Sequence, residues 1–250
     1  PKIYDGATGA VVLENGKPAV EGLGVGNMLL GSSIANTADY SIFTSHVYTL
    51  SDMLYGGSSP TIGLWNDSGN NPGGLEQRFD NGTKAFRTGS FSPGDMVLSY
   101  QNRVSSSWSF GVNGGTPSTG TNSASFTITM LLAGFGGSYQ FAGKVQEFVF
   151  YTSDQSANRT GIETNIGGYY DIPLAGLLDE YTGAAAAYSL RRLSSTYTGS
   201  AIKVQDNVGG ATLDVGFDSY GELDTSAIVA YGGSNDVFVE TWYDQSGSGN

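Results

Sequence analysis

The sequence predicts an all-β protein of antiparallel strands, and three observations carry that prediction. Apolar residues recur with a period of two along most of the chain. Glycine supplies 38 of 250 residues, and charged residues make up only 14%. Period two marks strands with one buried face, abundant glycine marks frequent turns, and a charged share below the usual figure of about a quarter fits a chain with few helices.

Taken in order, Met96, Leu98 and Tyr100 read as a strand that follows the Ser92–Asp95 turn. Trp108, Phe110 and Val112 alternate with Ser109 and Gly111, and Phe126, Ile128, Met130 and Leu132 alternate with Thr127 and Thr129, so each run has one buried face. The Val145–Tyr151 run is apolar enough to lie centrally in a sheet. One helix is predicted, from about Asp154 to Tyr170: Asp154 or Ser153 caps it, Ile162, Ile166 and Tyr169 share a face, and Gly167 and Gly168 loosen its end.

At Asp171–Leu174 the texture changes and a second unit, residues 173–250, begins. Four consecutive alanines, Ala184–Ala187, favour helix by propensity. Tyr188–Leu190 and the Tyr197–Gly199 turn favour strand, which is the expectation taken. Ile202–Val204 and Val237–Tyr243 complete a small β segment, Leu213–Leu223 reads as turn and short strand, and Thr225–Tyr231 reads as one helical turn.

Composition excludes several classes. The formal net charge of −12, with only eleven basic residues and no cluster of them, excludes nucleic acid as a partner. No apolar stretch approaches the roughly 20 residues of a membrane helix, so membrane insertion is not expected. Cysteine is absent, which removes disulfides and thiolate metal sites. The single histidine, His46, reads as a polar residue at a strand edge, without partners for a Ser-His-Asp arrangement or a metal. The chain opens on Pro1, which reads as a processed product or a piece of something longer.

Three strings are distinctive: Trp242–Gly247 (WYDQSG), Glu14–Ala19 (ENGKPA) and Ser153–Ile166 (SDQSANRTGIETNI). With the Ala184–Val204 and Val215–Ser226 blocks, they resemble a family of phage and bacterial extracellular modules. Residues 173–250 resemble the opening portion of the arabinofuranosidase B catalytic sandwich. Residues 1–172 are similar to the remainder, a concanavalin A-like (laminin G-like) jelly roll; within them, Leu23–Thr121 is similar in pattern only. The resemblance implies an antiparallel jelly-roll sandwich with one short peripheral helix.

In that family the WYDQSG-like turn precedes the ENGKPA-like hairpin, whereas here the two lie at opposite ends. A circular permutant, one period of a tandem repeat, or a subunit completed by a neighbour would each give this order. The resemblance therefore implies that residues 173–250 pack on residues 1–20 of the same or a neighbouring chain, with Pro1, Ile3 and Tyr4 beside Trp242, Tyr243, Asp244 and Gln245.

A retaining glycosidase needs two carboxylates about 5–5.5 Å apart. The strand matching the family's nucleophile, Ser59–Trp65, carries no acid, and Gly136–Tyr139 replaces the family's acidic turn with Gly-Gly-Ser-Tyr. Both catalytic carboxylates are therefore expected to be missing, with Asp67, Glu76, Asp80 and Glu147 the acids nearest the expected cleft.

A sugar-binding site would use Trp65, Trp108 and Tyr139 as aromatic faces and Asp67, Asn70 and Asn71 for hydroxyls. Read on pattern alone, the same tryptophans are core residues and the loop a turn. No cofactor is expected. Calcium could sit on Asp67–Asn71, although these residues lack the ordered acidic spacing of a strong calcium loop. The three Asn-X-Ser/Thr sequons, at Asn66, Asn81 and Asn158, matter only where the host glycosylates.

The expectation is thus a non-catalytic structural module of an extracellular filament or virion surface whose partners are copies of itself. A lectin-like adhesion module with cell-surface or environmental glycans as partners is the alternative, and an arabinofuranosidase-type hydrolase the third reading.

Overall fold

The computed structural model describes residues 1–25, 28–36, 39–49, 53–57, 63–67, 74–78, 84–87, 94–132, 139–218 and 221–248. The chain divides into two compact units, Pro1–Ile172 and Pro173–Asn250.

The first unit begins with β1 (Tyr4–Asp5), β2 (Ala10–Val11), β3 (Leu13–Glu14), β4 (Lys17–Pro18), β5 (Val20–Leu23), β6 (Met28–Asn36), β7 (Tyr40–Tyr48) and β8 (Tyr55–Gly56). It continues with β9 (Gly63–Asp67), β10 (Gly74–Arg78), β11 (Lys84–Arg87), β12 (Met96–Val104), β13 (Ser107–Val112), β14 (Ser118–Thr121), β15 (Phe126–Leu131), β16 (Ala142–Tyr151) and the helix α1 (Arg159–Tyr170). A six-stranded sheet, ordered β14-β13-β12-β7-β16-β5, forms one layer; β6-β15-β8 and β9-β10-β11 form the other. Every pairing between these strands is antiparallel, and the architecture is an antiparallel jelly-roll sandwich.

The core lies between the layers. Tyr40, Ile42, Val97, Phe110 and Trp108 of the six-stranded sheet meet Tyr55, Leu64, Leu75, Phe126 and Ile128 of the other layer. Phe126, Ile128 and Met130 are buried and alternate with half-buried neighbours, as period two requires. Met96–Arg103 departs from the expected single buried face, because all eight residues are buried. One face of β12 points into the core; the other carries Tyr100 and Asn102, which α1 and the turn before it cover. Asn102 Nδ2 donates to Asp154 Oδ1 at 3.1 Å, and the Arg159 guanidinium stacks over the Tyr100 ring.

Helix α1 begins five residues later than the sequence indicates. A 3-10 turn, Ser156–Asn158, precedes it, and Asp154 just before that turn accepts from the Ser156 backbone N–H at 2.8 Å and its hydroxyl at 3.0 Å. The buried helix face is Glu163, Ile166, Gly167 and Tyr170, at the i, i+3, i+4 and i+7 spacing. Tyr169, expected on that face, is 52% exposed, with Lys17 Nζ 4.5 Å above its ring. Gly167 and Gly168 do not end the helix. They are buried within it, and Asp171, in the left-handed region at φ 56°, closes it. The Glu163 carboxylate, buried among apolar atoms, pairs with Arg159 at 2.9 Å.

In the second unit, helix α2 (Leu177–Glu180) precedes β17 (Ile202–Asp206), β18 (Leu213–Val215), helix α3 (Thr225–Gly232) and β19 (Val237–Trp242). The sheet order is β18-β17-β19 around a small core of Ala201, Ile202, Val204 and Val215. The turn expected at Thr225–Tyr231 is an eight-residue helix capped by Asp224, which accepts from Ala227 N–H at 3.0 Å. No strand forms at Ala184–Leu190, contrary to expectation. Side chains from a distant turn take its backbone groups instead: Asp244 accepts from Ala187 N–H at 2.7 Å, and Gln245 donates to the carbonyls of Ser189 and Arg191.

Candidate functional site

The three-stranded sheet β9-β10-β11 holds the strongest candidate. Leu64, Leu75 and Gln77 are buried against the core. Successive residues of a strand alternate between faces, so Trp65, Asp67, Glu76, Arg78, Lys84 and Phe86 hold register positions on the opposite face. Glu76 is paired with Trp65 on one side and with Phe86 on the other, giving a row of two aromatic positions flanking a carboxylate position. Asp67 pairs with Gly74 and is a diagonal neighbour of Glu76, a spacing within reach of long side chains. Arg78, paired with Gly63 and Lys84, closes the other end of the face.

The sheet is held in place from beneath. The Tyr55 hydroxyl sits between the side-chain amides of Gln101, 2.6 Å away, and Gln77, 2.8 Å away, and Gln101 Nε2 donates to the Tyr40 hydroxyl at 2.6 Å. This chain of buried groups runs from β10 to the centre of the six-stranded sheet. Burial pushes the Tyr40 and Tyr55 hydroxyls up from their ordinary range, so both stay protonated.

The other sequence-predicted residues fare differently. Asn70 and Asn71, with most of the proposed calcium stretch and Asp80, lie outside the described residues. Trp108 is 7% exposed and belongs to the core, its ring packed so closely on Gly120 that a Cβ there would stand 2.4 Å from Cζ2. It is therefore corrected from a sugar-facing ring to a packing residue. Tyr139 is half-exposed with φ 55°, and its carbonyl accepts from Met53 N–H at 3.2 Å. Glu147, on β16, pairs in register with Ser45 of β7.

His46 is not at a strand edge. It lies mid-strand in β7 and is fully buried, with Thr44 Oγ1 3.3 Å from Nδ1 and, among the described residues, no partner at Nε2. Burial pushes its pKa down to about 4, so the ring is neutral.

The terminal residues singled out in the sequence have the following contacts within their own units. Lys2 pairs with Asp5 and Glu21 at 3.2 and 3.0 Å, and Ile3 and Tyr4 are exposed beside the exposed Pro1. Trp242 is half-exposed next to Tyr188, the Tyr243 hydroxyl donates to Asp214 at 2.7 Å, and Asp244 and Gln245 hold the 187–193 segment. Phe86 was missed by sequence reasoning; the alternation within Lys84–Arg87 was its only signal. No helix is long and apolar enough to cross a membrane.

The class that fold and face define is an antiparallel β-sandwich with an aromatic-and-carboxylate row on one sheet. No protein-family model matches the chain, and no curated protein does. Among solved structures it is similar to a heptameric SAP-like pentraxin from Limulus polyphemus, at 7% identity and TM-score 0.49, over 65% of this chain and 88% of that one. It is similar also to domain 4 of AbnA, a GH43 extracellular arabinanase from Geobacillus stearothermophilus solved with arabinotriose, at 14% identity and TM-score 0.42, over 62% and 75%. A third is the Ruminococcus gnavus IT-sialidase CBM40 bound to α2,3-sialyllactose, at 13% identity and TM-score 0.40, over 56% and 95%.

Proposed function

We propose that the first unit is a carbohydrate-binding module that takes a neutral saccharide across the β9-β10-β11 face. The observation that carries this reading is the register row Trp65–Glu76–Phe86, with Asp67 diagonal to it. A sugar presents an apolar C–H face and a ring of hydroxyls. Trp65 and Phe86 would supply aromatic surface for the first, and Glu76 and Asp67 would supply carboxylate acceptors for the second. The net charge of −12 favours a neutral glycan over a polyanion.

Titration of neutral oligosaccharides, followed by calorimetry and tryptophan fluorescence, tests the assignment. Trp65→Ala, Phe86→Ala and Glu76→Gln are each expected to weaken binding about tenfold. Binding indifferent to all three, or absent for every neutral glycan, would refute it.

A second reading, a structural role in a surface or virion assembly, is favoured by β19, where Phe238, Val239 and Trp242 are exposed. The register shift that leaves Glu240 unpaired in that strand opposes edge-to-edge strand pairing, so a neighbouring copy would pack on these side chains. Sedimentation velocity over a concentration series distinguishes this reading, with a monomer throughout counting against it.

A further inference from the structure

The small sheet of the second unit has two unlike faces. Register puts Ile202, Val204 and Val215 on one, where all three are buried, and Lys203, Gln205, Asp214, Phe238 and Thr241 together on the other. Asp214 and Thr241 flank Lys203 in one row, and Phe238 is opposite Gln205 in another. Tyr243, two residues past Thr241, belongs to the same face. Its backbone N–H donates to the Ala201 carbonyl at 2.9 Å, and its hydroxyl reaches past β17 to donate to Asp214 on β18 at 2.7 Å, so the ring is pinned at both ends. Gln205 is held as well, its Nε2 donating to the Gly210 carbonyl at 3.4 Å. Outward positions of a half-buried strand are usually polar. Val237–Val239 is instead apolar on both sides, and Phe238 is 58% exposed on the open one.

We propose that this face is a second saccharide site, where Phe238 and Tyr243 meet the C–H side of a sugar and Asp214, Lys203 and Gln205 meet its hydroxyls. The paired charges decide which sugar. Beside an ammonium and a carboxylate on neighbouring strands, a ligand with net charge meets one attraction and one repulsion. A hydroxyl suits both, since it donates to Asp214 and accepts from Lys203 in charge-assisted bonds. Three strands about 4.8 Å apart and a two-residue step of about 7 Å make a platform roughly 10 Å by 7 Å, the footprint of a neutral disaccharide. The site shares no residue with the β9-β10-β11 face and stands whether or not that face binds sugar.

Lactose, cellobiose and maltose are the probes, titrated against the full chain to about 20 mM with backbone amide NMR as the readout. Saturable shifts across β17, β18 and β19 are expected with at least one of them. Phe238→Leu, which keeps apolar bulk and loses the flat ring, should weaken that binding about fivefold or more, and Asp214→Asn about threefold or more. Trp65→Ala should leave these shifts unchanged, so the two faces fail separately. Glucuronic acid and glucosamine are the charged comparators and should bind less well than the best neutral sugar. Circular dichroism confirms that each variant is folded; should Asp214→Asn fail to fold, Phe238→Leu decides the matter. Absence of saturable shifts in β17–β19 with all three disaccharides, or undiminished affinity in a folded Phe238→Leu, overturns the site. Tighter binding of either charged sugar overturns the assigned preference for a neutral one.

Discussion

Replacing His46 by glutamine should remove a specific acid lability. The imidazole is fully buried within β7 with, among the described residues, only Thr44 Oγ1 at hydrogen-bond distance, and its pKa is held down to about 4 from an ordinary value of 6.5. The unfolded chain takes up a proton as pH falls through about 6.5, whereas the folded chain resists until about pH 4. The depressed folded value means that this stability is fully present above the unfolded pKa and is lost progressively down to the folded one. At about 1.4 kcal/mol per pH unit, the loss between pH 7 and pH 4 is about 3 kcal/mol. Asp154 and Asp179, whose folded pKa values are lowered from 3.8, contribute acid sensitivity mainly below that window. Urea unfolding at pH 7, 5.5 and 4.5, followed by tryptophan fluorescence, measures the slope. His46→Gln starts less stable at pH 7 but should lack the decline between pH 6.5 and 4.5. An equal decline in wild type and variant, or an imidazole proton resonance titrating near pH 6.5 in the folded protein, would refute the reasoning.

Other perturbations follow from the packing. Gly120→Ala places a methyl 2.4 Å from the Trp108 ring and should destabilise the first unit by about 1–3 kcal/mol, read from its urea midpoint. Gln245→Leu removes the acceptor for Leu193 N–H and the donor to the Ser189 and Arg191 carbonyls. The second unit should lose about 3 kcal/mol, and hydrogen exchange should quicken across residues 187–193 while the first unit stays protected. Asp154→Ala removes the acceptor for the Ser156 backbone N–H and hydroxyl and should cost about 1 kcal/mol, visible as a lower melting temperature.

The sandwich was legible because its strands follow the rule that makes strands visible. Phe126, Ile128 and Met130 alternate cleanly, and one face of their sheet meets the core while the other stays partly wet. Where both faces are covered the signal fades. β12 reads as one-sided in sequence because Ser99, Gln101 and Arg103 look like solvent residues, yet all three are buried. His46 was misplaced for the same reason. The helix was found, but its face was misjudged by one residue at Tyr169, because two adjacent tyrosines leave hydrophobicity unable to choose and the 163–166–167–170 spacing decides instead. Ala184–Leu190 defied local reading altogether, since its conformation is imposed by Asp244 and Gln245 from more than fifty residues away. Trp65 and Glu76 come together only through strand register, which no spacing along the chain encodes.

The buried line from Tyr40 through Gln101 and Tyr55 to Gln77 also has a mechanical meaning. Apolar surfaces alone tolerate sliding, because one methyl contact is much like the next. Hydrogen-bonded side chains that bridge the layers do not: a shift of one residue along either layer breaks them together and strands four polar groups in a dry interior. The line therefore works as a key in a slot, indexing one layer against the other. A pull on the outer face of β10 is passed through Gln77 and Tyr55 to the central strands, so the two layers resist shear as one body up to the force at which the key gives way.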